Sequence, residues 1–146
     1  KNLPRMSGIK VSSKALGDFN EMKKKRTHKF LIFKIQKNKV EVSDAKSGDA
    51  KLNPSWDDFV TATCNEEEAA WGVMDYETKK EDGSILNKMV YISWCPDTLP
   101  VRVKMLHGST TNTIKSRFGV DKGIQASTKS DCEEGVLHDL LGLRKK

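Results

Sequence analysis

Residues 88–119, KMVYISWCPDTLPVRVKMLHGSTTNTIKSRFG, constrain the fold of this chain more than any other stretch. Met89, Val90, Tyr91, Ile92 and Trp94 form a short apolar run rich in β-branched and aromatic types, the pattern of a buried strand. Cys95-Pro96-Asp97 stops it. Pro100 can open a helix, because the N–H it lacks is one that a helix start leaves unpaired anyway. Asp97 puts negative charge where a helix N-terminus favours it. Gly119 suits the position just past the helix C-terminus.

Placed on a wheel at about 100° per residue, this helix has two unlike sides. Val103, Leu106, His107, Thr110, Ile114 and Phe118 fall on one mostly apolar stripe. Arg102, Met105, Ser109, Asn112 and Ser116 fall opposite, and Lys104, Thr111 and Lys115 line one flank. Met105 is out of place among the polar residues. An unbranched apolar side chain between two cations on a solvent face suits a partner contact. A lone surface methionine also needs no explanation, so the wheel alone leaves both readings open.

The string W-x-P-D-x-x-P-V-R-x-K-M, carried by Trp94, Pro96, Asp97, Pro100, Val101, Arg102, Lys104 and Met105 and followed by Ser109-Thr110, resembles the ADF/cofilin family of actin-binding proteins. Met6-Ser7-Gly8-Ile9 resembles that family's N-terminus, and the likeness runs from Ser7 to about Leu141. The resemblance implies that the helix enters a cleft of the actin monomer through Arg102, Lys104, Met105, Ser109, Thr110 and Asn112, with Lys115 one turn on. Ser7, Gly8 and Ile9 are implied to help. Ser7 is implied to be a phosphorylation site served by a kinase and a phosphatase. A phosphate adds about −1.5 to −2 charges, which would oppose binding to acidic actin. The family commonly has a Lys right after the paired hydroxyls; this chain has Thr111 there.

At 146 residues the chain fits one domain, taken as 6–146, with Lys1–Arg5 set apart as an expression remnant or disordered tail. No apolar run approaches the roughly 18 residues of a membrane span, and no N-terminal apolar stretch suggests a secretory leader. Cys64, Cys95 and Cys132 are odd in number and far apart, which fits reduced thiols in a cytoplasmic or nuclear setting. No pair has zinc-finger spacing. The net charge of +6 favours an anionic partner without naming one.

In chain order, Ser12 or Ser13 can cap a first helix carrying Ala15, Leu16, Phe19 and Met22 inward and ending at Lys23–Arg26. Phe30–Ile35 reads as a strand buried on both faces, Val40 and Val42 belong to a more exposed neighbour, and Lys37-Asn38 form the turn between them. Ser43–Asn53 reads as a loop. Pro54-Ser55 starts a helix with Trp56, Phe59 and Val60 facing in. Ala69–Tyr76 is a strand, and Glu77–Asn87 a charged loop tipped by Gly83 that joins it to the Met89–Trp94 strand. Gly123–Ala126 is a short strand. Ser130 or Asp131 then caps a last helix with Val136, Leu137, Leu140 and Leu141 on its apolar face. The order α-β-β-α-β-β-α-β-α predicts an α/β fold of α+β type. It is a five-stranded mixed sheet flanked by helices on both faces, as the resemblance also implies.

Family members that hold filaments use a second surface, at the base of the long hairpin and on the last helix. Lys88 matches one hairpin cation, but the companion position is Leu86, and the usual acid–base pair on the last helix is His138-Asp139. Lys79 and Lys80 could compensate. Exposed charge pairs are each worth about 0–1 kcal/mol, so the expectation is firm monomer binding and weaker filament binding.

The residues suggest no enzyme: Cys95 and His107 lack a supporting base pattern, and there is no phosphate-cradling glycine loop. No cofactor is implied. A nucleic-acid binder would need aromatics interleaved with cations on an exposed face, whereas most aromatics here fall on core faces. Family members also bind phosphoinositides, and Arg102, Lys104 and Lys115 could serve that partner in competition with actin. The combined expectation is a monomeric, actin-binding, filament-severing and depolymerising protein of the cytoplasm and cytoskeleton.

Overall fold

A computed structural model describes residues 9–25, 28–36, 39–42, 48–49, 54–120 and 122–143. The elements in order are β1 (Lys10–Val11), α1 (Ser13–Lys25), β2 (His28–Gln36), β3 (Lys39–Val42), β4 (Gly48–Asp49), α2 (Trp56–Thr63), β5 (Ala70–Lys79), β6 (Ile85–Trp94), α3 (Val101–Phe118), β7 (Lys122–Ala126) and α4 (Glu134–Leu140). They form one mixed sheet in the order β1-β3-β2-β5-β6-β7, with β4 beside β2. The β1/β3 and β6/β7 pairs are parallel and the others antiparallel.

The five longer strands are those expected from the sequence; β1 and β4 are two-residue additions. Residues of alternate parity point to opposite faces, and both faces are covered. Phe30, Ile32, Met74, Val90, Ile92, Trp94 and Ile124 form one core with Trp56 and Phe59 of α2 and Leu137 of α4. Leu31, Phe33, Trp71, Val73 and Tyr91 form the other with Ala15, Phe19 and Met22 of α1 and Ile114 and Phe118 of α3. Coverage on both sides is why β2 and the inner half of β6 read as continuous apolar runs rather than alternating ones. Each large side chain so buried contributes about 1.5–3 kcal/mol.

Local signals explain the helix ends. Ser12 Oγ accepts from Ala15 N–H at 3.0 Å, so Ser12 rather than Ser13 caps α1. Ser55 and Asp58 form a reciprocal capping box on α2. Gly119 closes α3 at φ 68°, its N–H bonded to the Lys115 carbonyl at 2.9 Å. Gly72 lets α2 approach β5 closely: a Cβ there would sit 2.5 Å from Thr63 Oγ1 and 2.6 Å from the Phe59 ring.

Three expectations change. Glu77–Lys79 and Ile85–Asn87 are strand, paired in register from Glu77↔Asn87 to Lys79↔Ile85, and the turn is confined to Lys80–Ser84. This part of the hairpin projects beyond the core, so no buried face imposed an apolar alternation on it. The last helix starts at Glu134, later than expected. Ahead of it a 3-10 turn spans Lys129–Cys132, where the Asp131 carboxylate accepts from the Ser127 and Thr128 N–H groups. Only Leu137 of α4 is buried; Val136 and Leu140 are exposed. The turn expected at Lys37-Asn38 lies outside the described residues, as do most of Ser43–Asn53 and the termini before Ile9 and after Leu143.

Candidate functional site

The helix α3 changes character along its length. Its C-terminal half is anchored: Ile114 and Phe118 are buried, and the Phe118 ring lies 4.4 Å from Phe19 and 4.9 Å from Phe33. Its first turn and a half is not. Val101 is 66%, Val103 38% and Met105 52% exposed, and Arg102 is exposed beside them. Lys104 lies along the same end, its Nζ 3.3 Å from the Asp97 carbonyl. Apolar surface and two cations therefore share one free helix end, an arrangement that suits docking rather than bond-making.

Val103 was expected on the core stripe. Instead it is part-exposed, and Val103 and Leu106 border a cavity of about 260 Å³ shared with Lys34, Ile35, Glu68, Ala69, Trp71 and His107. Lys34 and Glu68 pair across its rim at 2.6 Å.

The other predicted contact residues divide. Asn112 is exposed, and Ser109 and Lys115 are half-buried. Thr110 is fully buried under α3 and turns away from the outer face, which corrects its expected place among the contact residues. Its position on the apolar stripe of the wheel had pointed inward. Ile9 is also buried, packed with Val11 in the core under α1 and α3, so it faces the fold rather than a partner. Ser7 and Gly8 lie outside the described residues.

Thr111, on the same flank of the wheel as Lys104 and Lys115, turns inward. It is 5% exposed and belongs to a buried polar network. Its Oγ1 donates to the His107 carbonyl at 2.8 Å and accepts from Trp71 Nε1–H at 2.8 Å. Ser93 Oγ lies 3.2 Å from it and 2.8 Å from His107 Nε2. The His107 ring stacks on Trp71 with centroids 4.3 Å apart and planes 7° apart. His107 Nδ1 has no hydrogen-bond partner among the described residues. Burial pushes the His107 pKa down to about 4, so the ring is neutral at physiological pH. That is the chemistry of a structural histidine. Cys95 shares a polar cavity of about 460 Å³ with Ser93, His107 and Asn112, but burial pushes its thiol up, the opposite of nucleophile activation.

The residues of the second predicted surface are spread along the β5–β6 hairpin. Lys88 is half-buried opposite Tyr76, and Lys79 and Lys80 are exposed near the tip. Leu86 is half-buried opposite Thr78. Sequence reasoning missed the link from this hairpin to α4. Tyr76 O–H donates to Glu134 Oε2 at 2.6 Å and lies 2.8 Å from His138 Nε2. Burial and the Glu134 contact push the Tyr76 phenol up, so it stays a donor. The Glu134/His138 spacing of four was the available signal; Tyr76 could not be paired with it without the fold. Among the described residues no group of three or more His, Cys, Asp or Glu could hold a metal ion.

Comparison with known proteins supports the same assignment. The family described as "Cofilin/tropomyosin-type actin-binding protein" matches residues 8–142. Actin-depolymerizing factor 8 of Arabidopsis thaliana is 32% identical over 138 residues, covering 94% of this chain and 96% of that protein. Actophorin of Acanthamoeba castellanii is 31% identical over 135 residues, covering 92% and 95%. Among solved structures, the crystal structure of Streptomyces griseoflavus cofilin superposes with a TM-score of 0.78 at 24% identity, covering 94% of this chain and all of that one. That likeness speaks for the fold. With the family's motif on the free end of α3, its sheet and helices in order, and a match spanning nearly the whole chain, this protein belongs to the ADF/cofilin family.

Proposed function

We propose that this protein binds actin through the free end of α3 and, by doing so, promotes filament severing and disassembly without catalysing a reaction. The observation that carries the reading is the exposure of Val101, Val103 and Met105 beside Arg102 and Lys104, on a helix whose other half is fixed to the core. A cluster of apolar side chains facing solvent marks an interaction surface, and the cations select an acidic partner for it. Family membership and the names of the relatives support actin as that partner. Asn112, Ser109 and Lys115 extend the contact along the helix, and Ser7 and Gly8 join it from the N-terminus. Thr110 and Ile9 support the surface from beneath.

The monomer, in its ADP form, is the tighter target. On the filament side Lys79, Lys80 and Lys88 offer charge, but Leu86 stands where a cation would help, and Tyr76 engages both Glu134 and His138. Binding that favours one filament twist over another then shifts the filament toward breakage. Arg102, Lys104 and Lys115 also suit phosphoinositide headgroups, which would compete with actin. Phosphorylation of Ser7 by a kinase, reversed by a phosphatase, would weaken the contact by repulsion. The setting is cytoplasmic and cytoskeletal. The test is a pair of titrations, labelled actin monomer by fluorescence and filaments by cosedimentation. Monomer affinity should exceed filament affinity several-fold; equal or tighter filament binding would overturn the asymmetry.

A further inference from the structure

The three cysteines are far apart in sequence, yet the fold brings two together. Cys64 Sγ and Cys132 Sγ lie 3.8 Å apart across 68 residues, both almost fully buried in the core beneath α2 and α4. Cys64 ends α2, and Cys132 ends the 3-10 turn just before α4. Two indoles of this core bond to the backbone at Cys132 and next to Cys64. Trp56 Nε1–H donates to the Cys132 carbonyl at 2.8 Å, and Trp94 Nε1–H donates to the Asn65 carbonyl at 2.7 Å. The sulfurs have to close from 3.8 Å to the roughly 2.05 Å of a bond.

We propose that Cys64 and Cys132 form an intramolecular disulfide when a peroxide oxidises the protein, tying the end of α2 to the start of α4. The oxidation runs in two steps. The Cys132 thiolate attacks one peroxide oxygen; an S–O bond forms, the O–O bond breaks, and the hydroxide released takes up a proton to become water. The Cys64 sulfur then attacks the Cys132 sulfenic sulfur; the S–S bond forms, the S–O bond breaks, and the hydroxyl leaves as water with the Cys64 proton. Two electrons pass from the two sulfurs to the peroxide, and two waters result. Either thiol can donate to the other across this contact, and a Cys64 S–H so placed favours the thiolate on Cys132; the same two steps balance with the two sulfurs exchanged.

Burial makes this slow in the closed protein. Access needs only local opening, because the segment that carries Cys132 is thinly anchored: a four-residue 3-10 turn and a helix whose one buried side chain is Leu137. Cys95 is half-buried and has no neighbouring thiol among the described residues, so its oxidation would join two molecules instead.

The test uses the full chain treated with hydrogen peroxide, then alkylated under denaturing conditions. The expected product is a monomer two hydrogens lighter, with two thiols protected and a linked peptide pair containing Cys64 and Cys132. Its melting temperature should rise on the order of 10 °C and fall back on treatment with a phosphine reductant. Cys95→Ser should keep the mass loss and the shift; Cys64→Ser and Cys132→Ser should lose both. The Cys95→Ser protein carries the test alone if the core variants fail to fold. Products linked only through Cys95, a Cys132 sulfinic acid with Cys64 still open to alkylation, or an unchanged melting temperature in oxidised Cys95→Ser protein would each overturn the proposal.

Discussion

Replacing Thr111 by Val tests whether this position serves the fold or the partner. Valine keeps the volume and removes the hydroxyl. Trp71 Nε1–H, now bonded to Thr111 Oγ1 at 2.8 Å, would be left unpaired beside a residue that is 5% exposed. An orphaned buried donor costs about 1–3 kcal/mol. For a chain near this size each kcal/mol moves the melting temperature by about 2–4 °C, so Thr111→Val should lower it by roughly 3–10 °C. Monomer affinity should change little, because the Thr111 side chain is buried and faces the sheet rather than the partner. Thr111→Lys, which restores the cation common in the family, should be worse still, since the ammonium would enter the Trp71–Ser93–His107 network without a counter-charge. In a Trp71→Phe background, Thr111→Val should cost about 1 kcal/mol less. Thermal denaturation followed by circular dichroism reads all of these. A Thr111→Lys protein as stable as the parent would refute the placement, because it would mean the side chain reaches solvent.

Two further outcomes follow from the same cores. His107 is neutral and buried with its pKa near 4, while the unfolded chain titrates at the ordinary value of 6.5. Above that value both states are neutral and His107 adds no pH dependence. Below it the unfolded state gains a proton that the folded state refuses, so stability should fall by about 3 kcal/mol between pH 6.5 and pH 4, and denaturant titrations of His107→Gln should show a flatter profile over that window. Gly72→Ala would push a methyl group against Phe59 and Thr63 of α2; unfolding titrations should show a loss of about 1–3 kcal/mol from overpacking.

The elements buried on at least one face were legible in the sequence, and those governed by surface or by long-range pairing were not. The apolar runs of β2 and β6, Pro100 before α3 and Gly119 after it carried enough local information to set both ends of the organising helix. The outer half of the hairpin carried little, because Glu77–Lys79 and Ile85–Asn87 are mostly exposed and bury no common face, and their pairing is read from the partner strand. The start of α4 was misread because a serine and three acids within five residues offer several caps, and Asp131 serves the preceding turn instead. At the candidate site, Arg102 and Met105 were readable from the wheel, since residues opposite an apolar stripe face solvent. Val103 was misassigned, and the inward turn of Thr111 was not read, because a wheel gives angle but not what lies beneath. Val103 borders a cavity that residues of β2 and β5 also line, and Trp71 reaches Thr111 from β5.

The central claim is that the free end of α3 is the actin contact and is spare to the fold. Binding of labelled actin monomer by wild type and by Arg102→Ala/Lys104→Ala, with melting temperatures measured on the same samples, tests it most directly. The account predicts at least a tenfold loss of affinity with a melting temperature within about 2 °C of the parent. Undiminished binding, or a loss that appears only because the double variant has unfolded, would contradict it.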